Sequence, residues 1–330
     1  MGNFGVYTGE EFFALKLKKR DWLVEGILKE KDSVILVGDE KAGKSLFVFQ
    51  LICSLTSTHP FLDTYKVPRE CKVSYVQIEG ELEDSQDRFN KMIQSIDMIN
   101  KNFQIFFVAP LELQASKGLI LLKRDIERCH KPDVIIIDPI YFAFTGSLSD
   151  DMVVRQFIGN IRKLKEYFDC SIILVHHTHK MRLNKEGKII AEGDEAIFGS
   201  KFLKAYPDHT ILFAYDKRNE TRIMSCGTQR SGDIVKSLRL KLNEPDPLYF
   251  EPTEMNPTNE SVVLTTLMKE ENLKTGLSQE EITKEAGLSR NAFYASVKPL
   301  LRDKVVRKTG GRPVHYIFVG RDKKQDEGNT

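Results

Sequence analysis

The sequence predicts an α/β protein built on a mainly parallel sheet and followed by a small, compact second unit of helices and a β-hairpin. Three observations carry this. From residue 31 onwards, short runs rich in Val and Ile alternate with amphipathic stretches, the pattern of strands joined by crossover helices. A glycine-rich segment stands between one such run and the next helical stretch. The alternation then stops at a polar, proline-broken stretch, Pro252-Thr253-Glu254-Met255-Asn256-Pro257-Thr258-Asn259, which reads as a linker.

The strand candidates are 33–37, 72–78, 104–108, 133–138, 171–176, 210–215, 221–226 and 236–241. The helix candidates are 44–57, 83–98, 118–130, 151–168 and 196–205. Connections shorten after residue 205, so the sheet is expected to end in antiparallel hairpins. These assignments give a large domain over 1–252, a linker over 253–259, a compact unit over 260–319 and a charged, disordered tail over 320–330.

The glycine-rich segment is Gly38-Asp39-Glu40-Lys41-Ala42-Gly43-Lys44-Ser45, a complete G-x-x-x-x-G-K-S phosphate loop in its required setting. Ser33-Val34-Ile35-Leu36-Val37 precedes it as a buried strand, and Leu46-Phe47-Val48-Phe49-Gln50-Leu51-Ile52 follows as a buried helix. Gly38 and Gly43 let the backbone curl round a phosphate without Cβ clashes. The amides of Lys41 to Ser45 face phosphate oxygens at a helix N-terminus. Lys44 neutralises β/γ-phosphate charge and Ser45 holds Mg²⁺. With a nucleotide expected, the apolar groups of Asp21-Trp22-Leu23-Val24-Glu25-Gly26-Ile27-Leu28 are read as packing under the sheet or near the base.

Ligands of open α/β sheets sit outside the carboxyl ends of the strands, and three polar residues stand at such ends. Asp138 closes the apolar run Val134–Ile137 and is expected to hold Mg²⁺ together with Ser45; a strand-end turn is its bland alternative. Glu79 follows Val73–Ile78, on a strand expected beside the phosphate-loop strand, and is placed to orient the attacking water. Glu81 is its rival, while Glu83 and Asp84 suit a helix start. His177 ends Ile172–His177 and is read as a γ-phosphate contact, with His176 as a core histidine.

The bulk numbers exclude several classes. The chain has 330 residues, 29% of them charged, and a net charge of only +2, so any nucleic-acid contact must come from local patches. Five cysteines, at 53, 71, 129, 170 and 226, form no C-x-x-C pair, and neither a zinc site nor a disulfide framework is expected. No apolar run reaches the ~18 residues that span a bilayer. No leader pattern opens the sequence. A cytoplasmic protein without membrane contact is the expectation.

Asp21-Trp22-Leu23-Val24-Glu25-Gly26, the phosphate loop, Tyr75-Val76-Gln77-Ile78-Glu79, Ile137-Asp138-Pro139 and Val175-His176-His177-Thr178-His179-Lys180 occur in that order. Over roughly 20–250 the chain resembles the RecA-like ATPases of the plasmid RepA type, hexameric replicative helicases related to DnaB. The resemblance implies ATP and Mg²⁺ as ligands. It makes Glu79 the catalytic base, Asp138 the magnesium ligand and His177 the phosphate sensor. It also implies an arginine finger reaching a neighbouring subunit, which falls on Arg230 in Cys226-Gly227-Thr228-Gln229-Arg230. Relatives often carry a lysine where Thr228 stands. Arg218 and Arg222 are rivals for the finger. Two loops, Thr145–Asp151 and Met181–Glu195, correspond to channel loops that contact single-stranded DNA. The second, with the Lys180 just before it, brings Lys180, Arg182, Lys185 and Lys188, then turns acidic at Glu192, Asp194 and Glu195.

In the small unit, Ser278-Gln279-Glu280-Glu281 reads as a capping box and Gly287-Leu288-Ser289 as the turn between two helices. A hairpin follows at 305–318, so the unit resembles a winged helix-turn-helix. Arg290, Lys298, Arg302, Lys304, Arg307, Lys308 and Arg312 face one acid, Asp303, a composition suited to duplex DNA. Docking of a replication protein is the alternative. The combined expectation is an ATP-driven helicase ring for the DNA of a plasmid, phage or mobile element. A recombinase-type filament ATPase and a nucleotide-gated DNA-binding regulator are the alternatives.

Overall fold

A computed structural model describes residues 7–94, 100–107, 111–178, 183, 189, 197, 199–229, 237–244, 248–253, 263–264, 266–269, 272, 275–302, 305–310 and 313–319. The chain divides into two compact units, Met1–Thr253 and Glu254–Thr330.

In the first unit a short helix α1 (Gly9–Ala14) precedes a small hairpin of β1 (Trp22–Val24) and β2 (Leu28–Lys29). The sheet strands are β3 (Ser33–Gly38), β4 (Val73–Gln77), β5 (Phe103–Phe107), β6 (Val134–Asp138), β7 (Ser171–His177), β8 (His209–Asp216), β9 (Thr221–Gln229), β10 (Leu238–Asn243) and β11 (Tyr249–Thr253). Between them run α2 (Lys44–Ser57), α3 (Leu82–Met92), α4 (Ser116–Glu127), α5 (Asp151–Phe168) and α6 (Lys201–Ala205). The nine strands form one sheet in the order β11-β10-β9-β8-β3-β7-β6-β4-β5. Strands β3 to β8 are parallel, and β8 to β11 are antiparallel neighbours. This is the α/β architecture the alternation predicts.

Both faces of the sheet are covered, which is why its strands are apolar throughout rather than alternating. One face packs Val34, Leu36, Val73 and Tyr75 against α2 and Phe89 of α3. The other packs Ile35, Val37, Ile135 and Ile137 against Leu122 of α4 and Phe157 and Ile161 of α5. Helix α2 is buried along nearly its whole length and is accordingly apolar on all sides.

Two expectations are corrected, and one that left two placings open is decided. Strand β4 is not beside the phosphate-loop strand β3; β7 and β6 lie between them. Strand order is fixed by long-range pairing, which local pattern does not encode. Pro252 and Thr253 belong to β11, not to a linker: Pro252 pairs in register with Leu240, and an edge strand tolerates a residue without an N–H. The Trp22–Leu28 segment packs beneath the sheet, with Leu23, Val24, Ile27 and Leu28 buried in its core, at the pole where β3 begins.

Two polar ties hold the antiparallel edge. The Gln50 side-chain amide donates to the Phe250 carbonyl at 2.8 Å and accepts from the Phe250 N–H at 2.7 Å, which fixes β11 to α2. Arg239 donates to Asp216 at 2.7 Å with both side chains about 5% exposed or less. Burial raises the Asp216 carboxyl, but bonds from Arg239, Asn219 and the Arg218 N–H outweigh it and hold it below the usual range.

The second unit has α7 (Gln279–Glu285), α8 (Arg290–Arg302) and a three-stranded antiparallel sheet, β12 (Leu277–Ser278), β14 (His315–Phe318) and β13 (Val306–Lys308) in that order. Ser278 and Glu281 form the capping box of α7. Gly287, at φ 65°, makes the turn into α8. Val263, Leu267, Ile282, Phe293, Val297 and Tyr316 form its core.

Replacing Arg239 by Met should leave the Asp216 carboxylate buried beside an apolar group and cost ~3–5 kcal/mol. Urea denaturation measures this; a loss under ~1 kcal/mol would show that the pair does not hold the edge.

Candidate nucleotide site

The site is set by where the parallel strands stop. Gly38 of β3 pairs in register with His177 of β7, and Gln77 of β4 with Asp138 of β6. Four strand ends therefore bring their polar residues to one edge. Gly38 is required there, because a Cβ would stand 2.3 Å from the Phe213 carbonyl oxygen. Gly43 is the second fixed glycine: it caps α2 at φ 97°, and its Cβ position lies 3.1 Å from the Phe250 ring.

Lys44 is 3% exposed. Its ammonium donates to the carbonyls of Gly38 at 2.9 Å and Asp39 at 2.6 Å. Burial lowers its pKa to about 8, against the opposing pull of Asp138, Asp39, Glu40 and Glu79. A desolvated cation whose hydrogen bonds among the described residues go to loop carbonyls fits a polyphosphate. Asp39 is half-buried, Glu40 and Lys41 are exposed, Ala42 is buried, and Ser45 and Leu46 are half-buried.

Asp138 is 3% exposed. Burial raises its pKa, while hydrogen bonds from Tyr75 (2.9 Å) and Ser45 pull the other way. Ser45 and Asp138 thus meet, as the sequence predicts, and form the pair that could hold Mg²⁺. Tyr75 is a site residue that sequence reasoning quoted only within a motif; its period-2 spacing from Gln77 places both on the face that carries α2.

Glu79 lies just past β4 and is exposed, with its carboxylate 3.9 Å from His177 Nε2. Burial, and then the charge of Lys44, lower the His177 pKa despite Glu40. The imidazole is therefore neutral near pH 7, and its long contact with Glu79 is not an ion pair. His177 Nδ1 is buried without a hydrogen-bond partner among the described residues. Gly80, at φ 94°, and a bond from the Gln77 amide to the Glu79 carbonyl at 2.8 Å shape the turn that aims Glu79 across β6 towards β7. Glu81 instead precedes α3 at its N-cap position, and Glu83 and Asp84 lie in the first helical turn.

Arg222 lies on its own phosphate loop: Nε donates to the Ala42 carbonyl at 3.4 Å, and the guanidinium sits 4.7 Å from the Tyr215 ring and 5.7 Å from the Phe250 ring. Arg218 is exposed in the β8–β9 turn, where its N–H bonds Asp216. Strand β9 then runs away from the loop, and Gln229 pairs with His209 near the start of β8. From Arg222 to Gln229 that is ~23 Å of strand at ~3.3 Å per residue. Arg230 lies outside the described residues, as do Lys180, Arg182, Lys185, Lys188, Lys304 and Arg312. In the first expected channel loop, Thr145 bonds Glu112 and Asp150 caps α5 through Met152 and Val153, so its polar groups serve local structure. Arg290, Lys298, Arg302, Arg307 and Lys308 are exposed on α8 and β13. Among the described residues no helix is long and apolar enough to cross a membrane.

A bound phosphate favours charged Lys44, whereas much of the free protein carries it neutral above about pH 8. Nucleotide binding should therefore take up a proton near pH 9 but not near pH 7, and affinity should fall as pH rises between them. Titration calorimetry of MgADP in buffers of different ionisation enthalpy reads this directly. No uptake near pH 9 would contradict the burial of Lys44.

A family model described as an AAA domain matches residues 8–182, just over half of the chain. Among solved structures, a KaiC-like protein from the hyperthermophilic archaeon Pyrococcus horikoshii OT3 is similar at 15% identity, over 70% of this chain and 94% of that one, with a TM-score of 0.47. No curated protein sequence matches the chain. Phosphate loop, strand-end aspartate and most of the parallel sheet lie within the matched region, and the chain belongs to the AAA-domain family.

Proposed function

We propose that this protein is an ATP-driven DNA helicase of the plasmid RepA type, working as a homo-oligomeric ring of six subunits on single-stranded DNA during replication. The observation that carries the hydrolytic part is the convergence of Lys44, Asp138, His177 and Glu79 at one sheet edge, with Glu79 and neutral His177 3.9 Å apart. Bound MgATP supplies the phosphoryl group that passes to water. Lys44 would neutralise the β/γ-phosphate charge, Ser45 and Asp138 would hold the metal, and Glu79 would orient the water and accept its proton. His177, with an unpartnered ring nitrogen, is suited to read the presence of the γ-phosphate.

The direction of β9 supports the ring reading: its described end, Gln229, pairs with His209 away from the protein's own phosphate loop, which favours a neighbour's site for the finger that the resemblance assigns to Arg230. The loops after β6 and β7 leave from the same edge as the nucleotide site, and the Lys180–Lys188 stretch supplies cations to track a strand's phosphates. For the second unit, the winged helix-turn-helix reading is supported by the capped α7, the glycine turn and the three-stranded sheet. The exposed face of α8 sets Arg290, Tyr294 and Lys298 one turn apart, which suits duplex DNA.

Glu79→Gln keeps the shape of the site and removes the base. It should bind nucleotide and single-stranded DNA normally, hydrolyse ATP ~10²–10⁴-fold more slowly and fail to open a forked duplex that the unmodified protein opens. ATP-dependent DNA binding without strand separation by the unmodified protein would move the assignment to a recombinase-type filament. Normal turnover in the variant would remove Glu79 from the chemistry.

A further inference from the structure

We infer that Gln77 and Ser85 form a buried relay that aims Glu79, and that both are positioning residues for the hydrolytic step. The inference rests on the proposed role of Glu79 and adds what holds that carboxylate in place.

Glu79 cannot hold its own position. Its side chain is 58% exposed, and it stands in the stretch 78–81 between the end of β4 and the start of α3. The Ile78 N–H donates to the Asp138 carbonyl at 2.9 Å, and the Ser85 N–H donates to the Glu81 carbonyl at 3.2 Å. These bonds fix the two ends of the turn. Its middle is held from beneath by the Gln77 side chain, whose Nε2 donates to the Glu79 carbonyl at 2.8 Å. Gly80 closes over that amide, where a Cβ would stand 3.2 Å from Gln77 Nε2.

The amide is in turn oriented by α3. The Ser85 hydroxyl donates to Gln77 Oε1 at 2.9 Å, and both residues are buried. A carbonyl can only accept, so the amide must turn its NH₂ to Glu79 and its oxygen to Ser85. With both bonds made it has a single orientation. The rest of the strand around it, Val73, Tyr75 and Val76, is buried, and an amide in that company is costly unless bonded. An apolar pair of the same shape would seat α3 about as well. What the polar pair adds is a fixed direction for the Glu79 backbone.

Ser85 is itself anchored. Four residues on, on the same helical face, Phe89 stacks on Phe49 of α2 with ring centroids 4.0 Å apart. Helix α2 begins at Lys44. The relay thus runs from the phosphate-loop helix through α3, Ser85 and Gln77 to Glu79. It keeps the base in step with the loop that would hold the phosphates. A shift of about 1 Å in a reacting group can cost ~10²-fold in rate, so such a link has a kinetic consequence.

The test uses the full chain and steady-state ATP hydrolysis. Ser85→Ala and Gln77→Met each cut the relay with little change in volume. Each should lower kcat about tenfold or more, with KM for ATP and the affinity for MgADP within about twofold of the unmodified protein. Joined, the two should cost no more than either alone, because they cut one relay. Placed in Glu79→Gln protein, neither should lower the residual rate further, because the group they aim is gone. Without nucleotide, the Gly80 amide resonance should shift on Ser85→Ala, and should not respond to it in protein that already carries Gln77→Met. Losses that multiply with that of Glu79→Gln would overturn the inference, since the pair would then act through something other than Glu79. Unchanged kcat in both single variants, with Glu79→Gln slow, would also overturn it and leave the proposed function standing. Normal turnover in Glu79→Gln would bring down both. Should Gln77→Met not fold, Ser85→Ala in the two backgrounds decides alone.

Discussion

The ammonium of Lys44 is a cation removed from water, and its burial constrains everything at the sheet edge around it. Isolated in a core, such a charge would cost several kcal/mol. Here the carbonyls of Gly38 and Asp39 and the nearby Asp138 offset part of that cost, and the rest is expressed as a lowered pKa. The loop can bring those carbonyls round only because Gly38 runs against the Phe213 backbone where no Cβ fits. Phe213 stands there because β8 pairs with β3 in a fixed register. A site of this kind is completed by an anion, and the same edge carries the groups that would act on one.

The geometry also separates the two ends of the domain. Asp138, His177 and Glu79 meet at the carboxyl pole through register alone, since Gln77 pairs with Asp138 and Gly38 with His177. At the opposite pole Asp32 takes Arg20, and β9 ends beside the start of β8. The described end of β9 and the nucleotide site therefore lie at opposite poles of the sheet.

Much of this was legible in the sequence where the signal is local. Helix α2 at 44–57 and α5 at 151–168 carry their boundaries in plain view: Gly43 before the first, and Asp150 and Asp169 around the second. Asp138 and Ser45 could be paired from motif spacing. What depends on long-range pairing could not be read. Nothing in Val73–Glu79 says that β4 lies beyond β7 and β6, and only the pairing shows that Glu79 reaches His177 by turning across a strand end. Strand β11 was hidden because Pro252 looks like a break until Gln50 is seen completing its hydrogen bonds. Arg222, a rival to Arg230 for the finger on sequence alone, rests on its own Ala42 carbonyl.

The shared site is the claim most open to direct measurement. Arg230→Ala and Glu79→Gln proteins are prepared separately, each nearly inactive as an ATPase, and then mixed under conditions where native mass spectrometry shows mixed oligomers. If the site takes Glu79 from one copy and Arg230 from the next, mixing creates interfaces that hold both, and turnover should rise well above that of either protein alone. Mixed oligomers that stay as inactive as their components would place both residues in one copy's site, or take Arg230 out of it, and would contradict the account.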